Sequence, residues 1–229
     1  MDFSTFDKIT YMNNNQPKYL VLDIETSGLS PYQGHGLLQV AGLALDNKMQ
    51  VIGQYNEYIK PPDNTIFDPI ADRIHKIPRE TTENGLSYQE FCEHFIAWVD
   101  EIFRESKSGI KPIMIGQFFT FDYNFLAYVV DTTLGQNELI FDSITGQYGL
   151  FQKVLSRDCI DTKTLVNIIN TKAELEGLDP VFPITSLSKQ GGLKDVLGID
   201  KTQIIAHDAL DDCLATREVL VRLLEIIKL

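Results

Sequence analysis

A short apolar run that ends in two acids constrains this chain most. Tyr19-Leu20-Val21-Leu22 leads directly into Asp23-Ile24-Glu25-Thr26-Ser27-Gly28. The apolar block, closed by glycine, reads as a buried strand from Lys18 to Ile24. Side chains two apart on a strand share a face, so Asp23 and Glu25 point the same way. Neighbouring carboxylates repel unless something neutralises them. A divalent cation that prefers oxygen ligands, such as Mg²⁺ or Mn²⁺, does so. A solvated strand end can carry the same two residues, so the pair alone does not decide.

The segments downstream predict the layers around that strand. Leu37 to Leu45 and Met49 to Ile59 read as two further strands joined around Asp46-Asn47-Lys48, a hairpin by its turn chemistry. Lys60 to Gly85 is loop-rich, because Pro61, Pro62, Pro69 and Pro78 break any long element. Ser87 and Glu90 have the spacing of a capping box. The helix they open puts Phe91, Phe95, Trp98, Val99 and Ile102 on one face. Pro112 to Ile115 reads as a strand, Phe121 to Val130 as a helix, Asp158 to Asp161 as a short strand and Thr162 to Asn170 as a helix. A final helix runs from Asp208, its N-cap, to Ile227, with Leu210, Leu214, Val221 and Leu224 as its apolar stripe. The predicted class is α/β: a mixed sheet, three antiparallel strands and then parallel ones, flanked by helices.

No repeat, low-complexity tract or linker divides the 229 residues, so a single domain over 1–229 is expected, with its core at about 18–228. The stretches 132–157 and 171–183 look like insertions able to hold a dimer contact, a substrate lid or a partner site. No apolar stretch approaches the roughly 18 residues of a membrane span, and Asp2 and Asp7 sit where a signal peptide would be apolar. A soluble, cytoplasmic protein with no membrane contact is the expectation. Cys92, Cys159 and Cys213 lack metal-ligand spacing and read as reduced thiols. The net charge of −12 argues against a tight, static duplex binder. It counts less against a protein that releases its substrate every cycle and meets phosphate through cations held by carboxylates, and solubility alone also accounts for it.

Two more acidic positions stand at helix starts. Asp122, in Gly116-Gln117-Phe118-Phe119-Thr120-Phe121-Asp122, follows a strand and opens a helix, where an acid also pairs with the helix dipole. His207-Asp208-Ala209-Leu210-Asp211-Asp212 places a histidine just outside the last helix and an acid in its first turns. Each signal alone is common. Their order is informative: D-x-E on the first strand, Asp on a middle helix, H-x-x-x-x-D on the last helix.

That order resembles the DEDDh, DnaQ-like exonuclease family, which includes the proofreading subunits of bacterial replicative polymerases and ribonucleases that trim transfer RNA. The resemblance covers roughly Tyr19 to Ile227. Arg73-Ile74-His75-Lys76-Ile77 and Cys159-Ile160-Asp161-Thr162 fit it too, with Asp161 read as a cap and not a ligand. Where relatives often have His-Asn, this chain has Gln117-Phe118, which alters the contacts expected to the terminal nucleotide.

The resemblance implies a ribonuclease H-like fold and a 3′–5′ exonuclease that releases nucleoside 5′-monophosphates with two divalent cations, Mg²⁺ with Mn²⁺ substituting. It implies Asp23 as the shared ligand, Glu25 and Asp212 on the attacking side, Asp122 on the leaving side, and His207 as general base. Thr26, Ser27, Gly28, Leu29, His75 and Phe121 are the implied substrate contacts, with backbone N–H groups of 26–28 near the sugar and Leu29 against the last base. The expected partner is a single-stranded nucleic acid 3′ end, DNA favoured, with a polymerase or repair partner or a homodimer compatible. The alternatives are an exoribonuclease for RNA trimming or short RNA, a non-catalytic partner-binding module of the same fold, and a mononucleotide hydrolase.

Overall fold

The computed structural model describes residues 16–103, 111–135, 140–142, 146–148, 154–156, 158–199 and 208–227. The chain begins with β1 (Pro17–Thr26), β2 (Leu37–Asp46) and β3 (Val51–Tyr58). The short helices α1 (Pro69–His75) and α2 (Arg79–Glu83) follow, then α3 (Tyr88–Phe103), β4 (Ile113–Gly116) and α4 (Thr120–Leu134). A small hairpin, β5 (Ile140–Asp142) and β6 (Gly146–Tyr148), precedes β7 (Cys159–Asp161). Helices α5 (Thr162–Leu175), α6 (Leu193–Val196) and α7 (Ala209–Ile227) end the chain.

The main sheet has the order β3-β2-β1-β4-β7. β1 pairs antiparallel with β2, and β2 with β3, while β4 runs parallel to β1 and to β7. This is the mixed sheet the sequence predicts. Among the described residues, no helix is long and apolar enough to cross a membrane.

Helices on both faces explain why β2 is buried at all ten positions. On β1 the alternation splits cleanly. Leu20, Leu22 and Ile24 pack into the cluster containing Phe91 and Phe95 of α3 and Phe125, Leu126 and Val129 of α4. Val21 packs the other way, with Ala41, Leu43 and Ile115, against Ala209, Cys213 and Leu220 of α7. Asp23 and Glu25 share the parity of Val21, so they project towards α7.

The capping box forms as predicted: Ser87 N–H donates to Glu90 Oε2 at 2.8 Å, and Glu90 N–H to Ser87 Oγ at 3.3 Å. Behind it, Phe91, Phe95, Val99 and Phe103 are buried, and each such ring or branched chain stabilises the fold by about 1.5–3 kcal/mol.

Two sequence expectations need adjustment. β1 extends to Thr26, past the predicted end, because pairing with β2 continues through Glu25↔Gln39 before a bulge. The loop-rich stretch holds α1 as well, with Asp68 accepting from Ile70 N–H and Pro69 at the first turn, a helix start that the proline count obscured. Within segment 171–183 the chain packs against α5 and α7. Phe182 is buried in the cluster of Val166 and Val219, and the Asn170 side chain holds its backbone N–H and C=O at 2.9 Å each. Cys92 and Cys213 are buried thiols, whereas Cys159 is exposed.

Candidate active site

The site lies at the C-terminal end of β1, where three elements converge. One carboxylate oxygen each from Asp23, Glu25 and Asp212 lies within 4.8 Å of the others. Strand parity delivers the first two and α7 the third. Asp208 sets the start of α7, as expected, with Oδ1 accepting from Leu210 N–H at 3.1 Å and Asp211 N–H at 3.3 Å. Its other oxygen accepts from the Gln39 side chain at 3.0 Å. Gln39 is fully buried on β2 beside Glu25, and its Oε1 accepts from Ala209 N–H at 3.3 Å. The amide therefore ties the start of α7 to the strand next to the acids. Sequence reasoning missed it, since a lone Gln on a strand carries no motif.

Asp122 comes from the first turn of α4 and is buried. Its Oδ1 accepts from Ile24 N–H at 3.1 Å, the amide between Asp23 and Glu25. Helix dipole pairing alone therefore does not account for this acid.

Electrostatics fit a cation site. Burial, then the charges of Asp122, Asp212 and Glu25, push the Asp23 carboxyl well above its ordinary range, with Lys194 acting in the opposite direction. Burial, then Asp212 and Asp122, raise Glu25 to about 8. Burial, chiefly, raises Asp122 to about 8 as well, against the lowering bond from Ile24. Carboxylates so confined stay ionised at neutral pH only with a compensating positive charge. Their hard oxygen donors fit a divalent cation such as Mg²⁺ or Mn²⁺.

Lys194 on α6 also enters the cluster, its Nζ 3.0 Å from Asp212 Oδ1 with the side chain 3% exposed. No sequence signal marked it, because eighteen residues separate it from Asp212.

A pocket adjoins the acids, lined by Glu25, Thr26, Gly28, Leu29, Ile70, Ile74, His75 and Phe121 among others. Five of the six expected substrate contacts therefore sit together. Leu29 is 78% exposed and projects freely. His75 is buried, its Nδ1 accepting from Ile77 N–H at 2.9 Å. Ser27 is the exception. It is fully buried, its hydroxyl donating to Ile66 C=O at 2.6 Å and accepting from Gly36 N–H at 2.7 Å. Its own N–H is used by Gly36 C=O at 2.8 Å, which leaves none for a sugar. Ser27 shapes the loop and does not face the pocket.

Asp161 is a cap, as read from sequence. It accepts from Lys163 and Thr164 N–H, and also from Phe118 and Phe119 N–H across the β4–α4 turn. The turn holds Phe118 at φ +61°, with its ring under Lys163 Nζ at 4.6 Å. Gln117 points away from this edge to Thr185 C=O at 2.9 Å and to the Thr162 hydroxyl. His207 lies outside the described residues.

An order of β3-β2-β1-β4-β7 with acids at the end of its central strand defines a ribonuclease H-like protein with a candidate metal site. The profile of the exonuclease family RNase_T matches residues 20–220. The chain belongs to that exonuclease family, and its acids stand in the order of the DEDDh, DnaQ-like type. It is similar to the DNA polymerase III subunit epsilon of Rickettsia felis, 29% identical over 82 residues, which is 36% of this chain and 35% of that one. The subunit of Rickettsia typhi is 25% identical over 206 residues, 89% of this chain and 72% of that one. Among solved structures, E. coli exonuclease I in complex with a dA16 oligonucleotide has the same fold. Its TM-score is 0.64 at 19% identity, covering 93% of this chain and 42% of that one.

Proposed function

We propose that this chain is a 3′–5′ exonuclease that hydrolyses the terminal phosphodiester of single-stranded nucleic acid, DNA favoured, and releases nucleoside 5′-monophosphates. The observation that carries the reading is the convergence of Asp23, Glu25 and Asp212 within 4.8 Å beside a pocket walled by Leu29, His75 and Phe121. The epsilon subunits and the oligonucleotide-bound exonuclease I support the choice of DNA, and the former support a polymerase as partner.

Two divalent cations, Mg²⁺ with Mn²⁺ substituting, would supply charge to the attacking and leaving oxygens of an in-line displacement. Asp23 is assigned to both ions, Glu25 and Asp212 to the attacking side and Asp122 to the leaving side. Asp122 has one oxygen on Ile24 N–H, so the bond fixes the other relative to β1. His207 accepts the proton of the attacking water, since an imidazole with an unperturbed pKa of about 6.5 is suited to that near neutrality. Leu29 and Phe121 pack against the terminal base.

The test is a time course on 5′-labelled single-stranded DNA, the matching RNA and a duplex, in Mg²⁺, Mn²⁺ or EDTA. The expected result is a metal-dependent ladder shortening from the 3′ end, fastest on single-stranded DNA and absent in Asp23→Asn. Faster loss of RNA would transfer the reading to an exoribonuclease. Metal binding without turnover on any strand would leave a binding module. His207→Ala should slow turnover by about 10²–10⁴-fold with metal affinity retained, and loss of metal binding in that variant would refute the base assignment.

A further inference from the structure

Lys194 places a fixed positive charge inside the acidic cluster. A buried ammonium is stable only when paired, and Lys194 Nζ lies 3.0 Å from Asp212 Oδ1. The local fold forces this arrangement. Gly191 takes φ +73°, and a side chain at Gly192 would put its Cβ 2.3 Å from Ser186 C=O, so the backbone turns tightly there. Leu193 N–H donates to Ser186 C=O at 2.9 Å and the Leu193 side chain is fully buried beside Val219 of α7. The next residue, Lys194, is buried as well and reaches Asp212 of α7.

Asp212 thus serves two masters. It lies on the ammonium and is one of the three carboxylates gathered within 4.8 Å. A divalent cation bound there would sit near Lys194 in surroundings with little water to screen the repulsion. We propose that Lys194 is the built-in counter-ion of the cluster, a positioning residue that holds Asp212 and competes with divalent metal for it, and so sets the metal affinity of the site. This rests on the metal-dependent reading above. Its consequence is that the acids stay together between metal-binding events, at the cost of weaker metal capture.

The full chain is titrated with Mn²⁺ alone, following free Mn²⁺ by electron paramagnetic resonance, for wild type, Lys194→Met and Lys194→Gln. Thermal midpoints are recorded in EDTA and in saturating Mn²⁺. Both variants should bind Mn²⁺ at least about tenfold more tightly, and both should melt lower in EDTA, with the gap closing in Mn²⁺. Glutamine keeps a hydrogen-bond donor on the side of Asp212 without the charge. A glutamine variant with wild-type or weaker Mn²⁺ affinity overturns the proposal, whatever the methionine variant does, and leaves Lys194 as an anchor. If methionine prevents folding, the glutamine titration decides by the same criterion. Wild type that binds no Mn²⁺ would instead bring down the metal-dependent reading itself.

Discussion

The backbone N–H of Ile24 donates to Asp122 Oδ1 at 3.1 Å, linking the strand that carries two of the acids to the helix that carries another. The bond crosses 98 residues of sequence and is buried. Asparagine can keep it through its side-chain oxygen, whereas alanine cannot. Both substitutions remove the same charge, so their difference isolates the bond. Asp122→Ala should be less stable than Asp122→Asn by about 1–3 kcal/mol in urea melts, because the Ile24 amide is left without an acceptor. Equal stabilities would mean the bond contributes nothing to joining α4 and β1. Both variants should lose activity.

The acids also set a pH dependence for the metal-free protein. Glu25 and Asp122 are each raised to about 8, and Asp23 is raised too, with burial the first cause in each. Their folded values exceed their unfolded ones, near 4. Between about pH 4 and 8 the folded state therefore holds protons that the unfolded state has released, and stability falls as pH rises. Thermal midpoints in EDTA should drop by several degrees from about pH 5 to about pH 8. Saturating Mg²⁺ should flatten or reverse the trend, because metal replaces the protons. A flat profile in EDTA would show that the acids do not confine one another in solution.

The four acids were legible because each follows from a local rule: strand parity for Asp23 and Glu25, and a helix start for Asp122 and Asp212. The order of the elements did the rest, and the sheet was readable from apolar periodicity. What escaped were contacts that depend on tertiary approach. Gln39 and Lys194 are ordinary residues by sequence and reach the acids only because β2 lies beside β1 and α6 folds back on α7. Ser27 misled in the opposite sense. Next to two acids and a glycine it reads as a substrate contact, yet both its amide and its hydroxyl close the loop onto Gly36 and Ile66. The helix at Pro69–His75 was hidden because a proline that breaks a helix interior also opens a first turn.

Gly28 lines the pocket and also has a packing reason to be glycine. A Cβ there would lie 2.1 Å from the His35 ring. That ring is anchored with Nδ1 3.0 Å from Ser30 C=O, so it cannot simply swing aside. Gly28→Ala should cost about 1–3 kcal/mol through overpacking, lowering the thermal midpoint by roughly 2–12 °C. Because Leu29 is next in the chain and lines the pocket, KM for an oligonucleotide should rise as well. An unchanged midpoint would mean that the loop yields freely and that the close approach is not what requires glycine.

Gln39 is the sharper probe of how the site is held. Its side chain donates to Asn56 Oδ1 and Asp208 Oδ2, both at 3.0 Å, and accepts from Ala209 N–H at 3.3 Å. Gln39→Ala leaves those buried partners unmatched and should cost about 1–3 kcal/mol. It also frees the turn that carries Asp212, so Mn²⁺ binding should weaken by about tenfold, or roughly 1.4 kcal/mol. Gln39→Glu keeps the shape but sets another carboxylate against Asp208 and Glu25. In EDTA at about pH 8 it should therefore melt below the alanine variant, and divalent metal should narrow that gap by drawing off the repulsion. If the glutamate variant melts above the alanine one in EDTA, packing and not charge governs this corner of the site. If neither changes Mn²⁺ affinity, Asp212 is held by α7 alone and the amide bridge is dispensable.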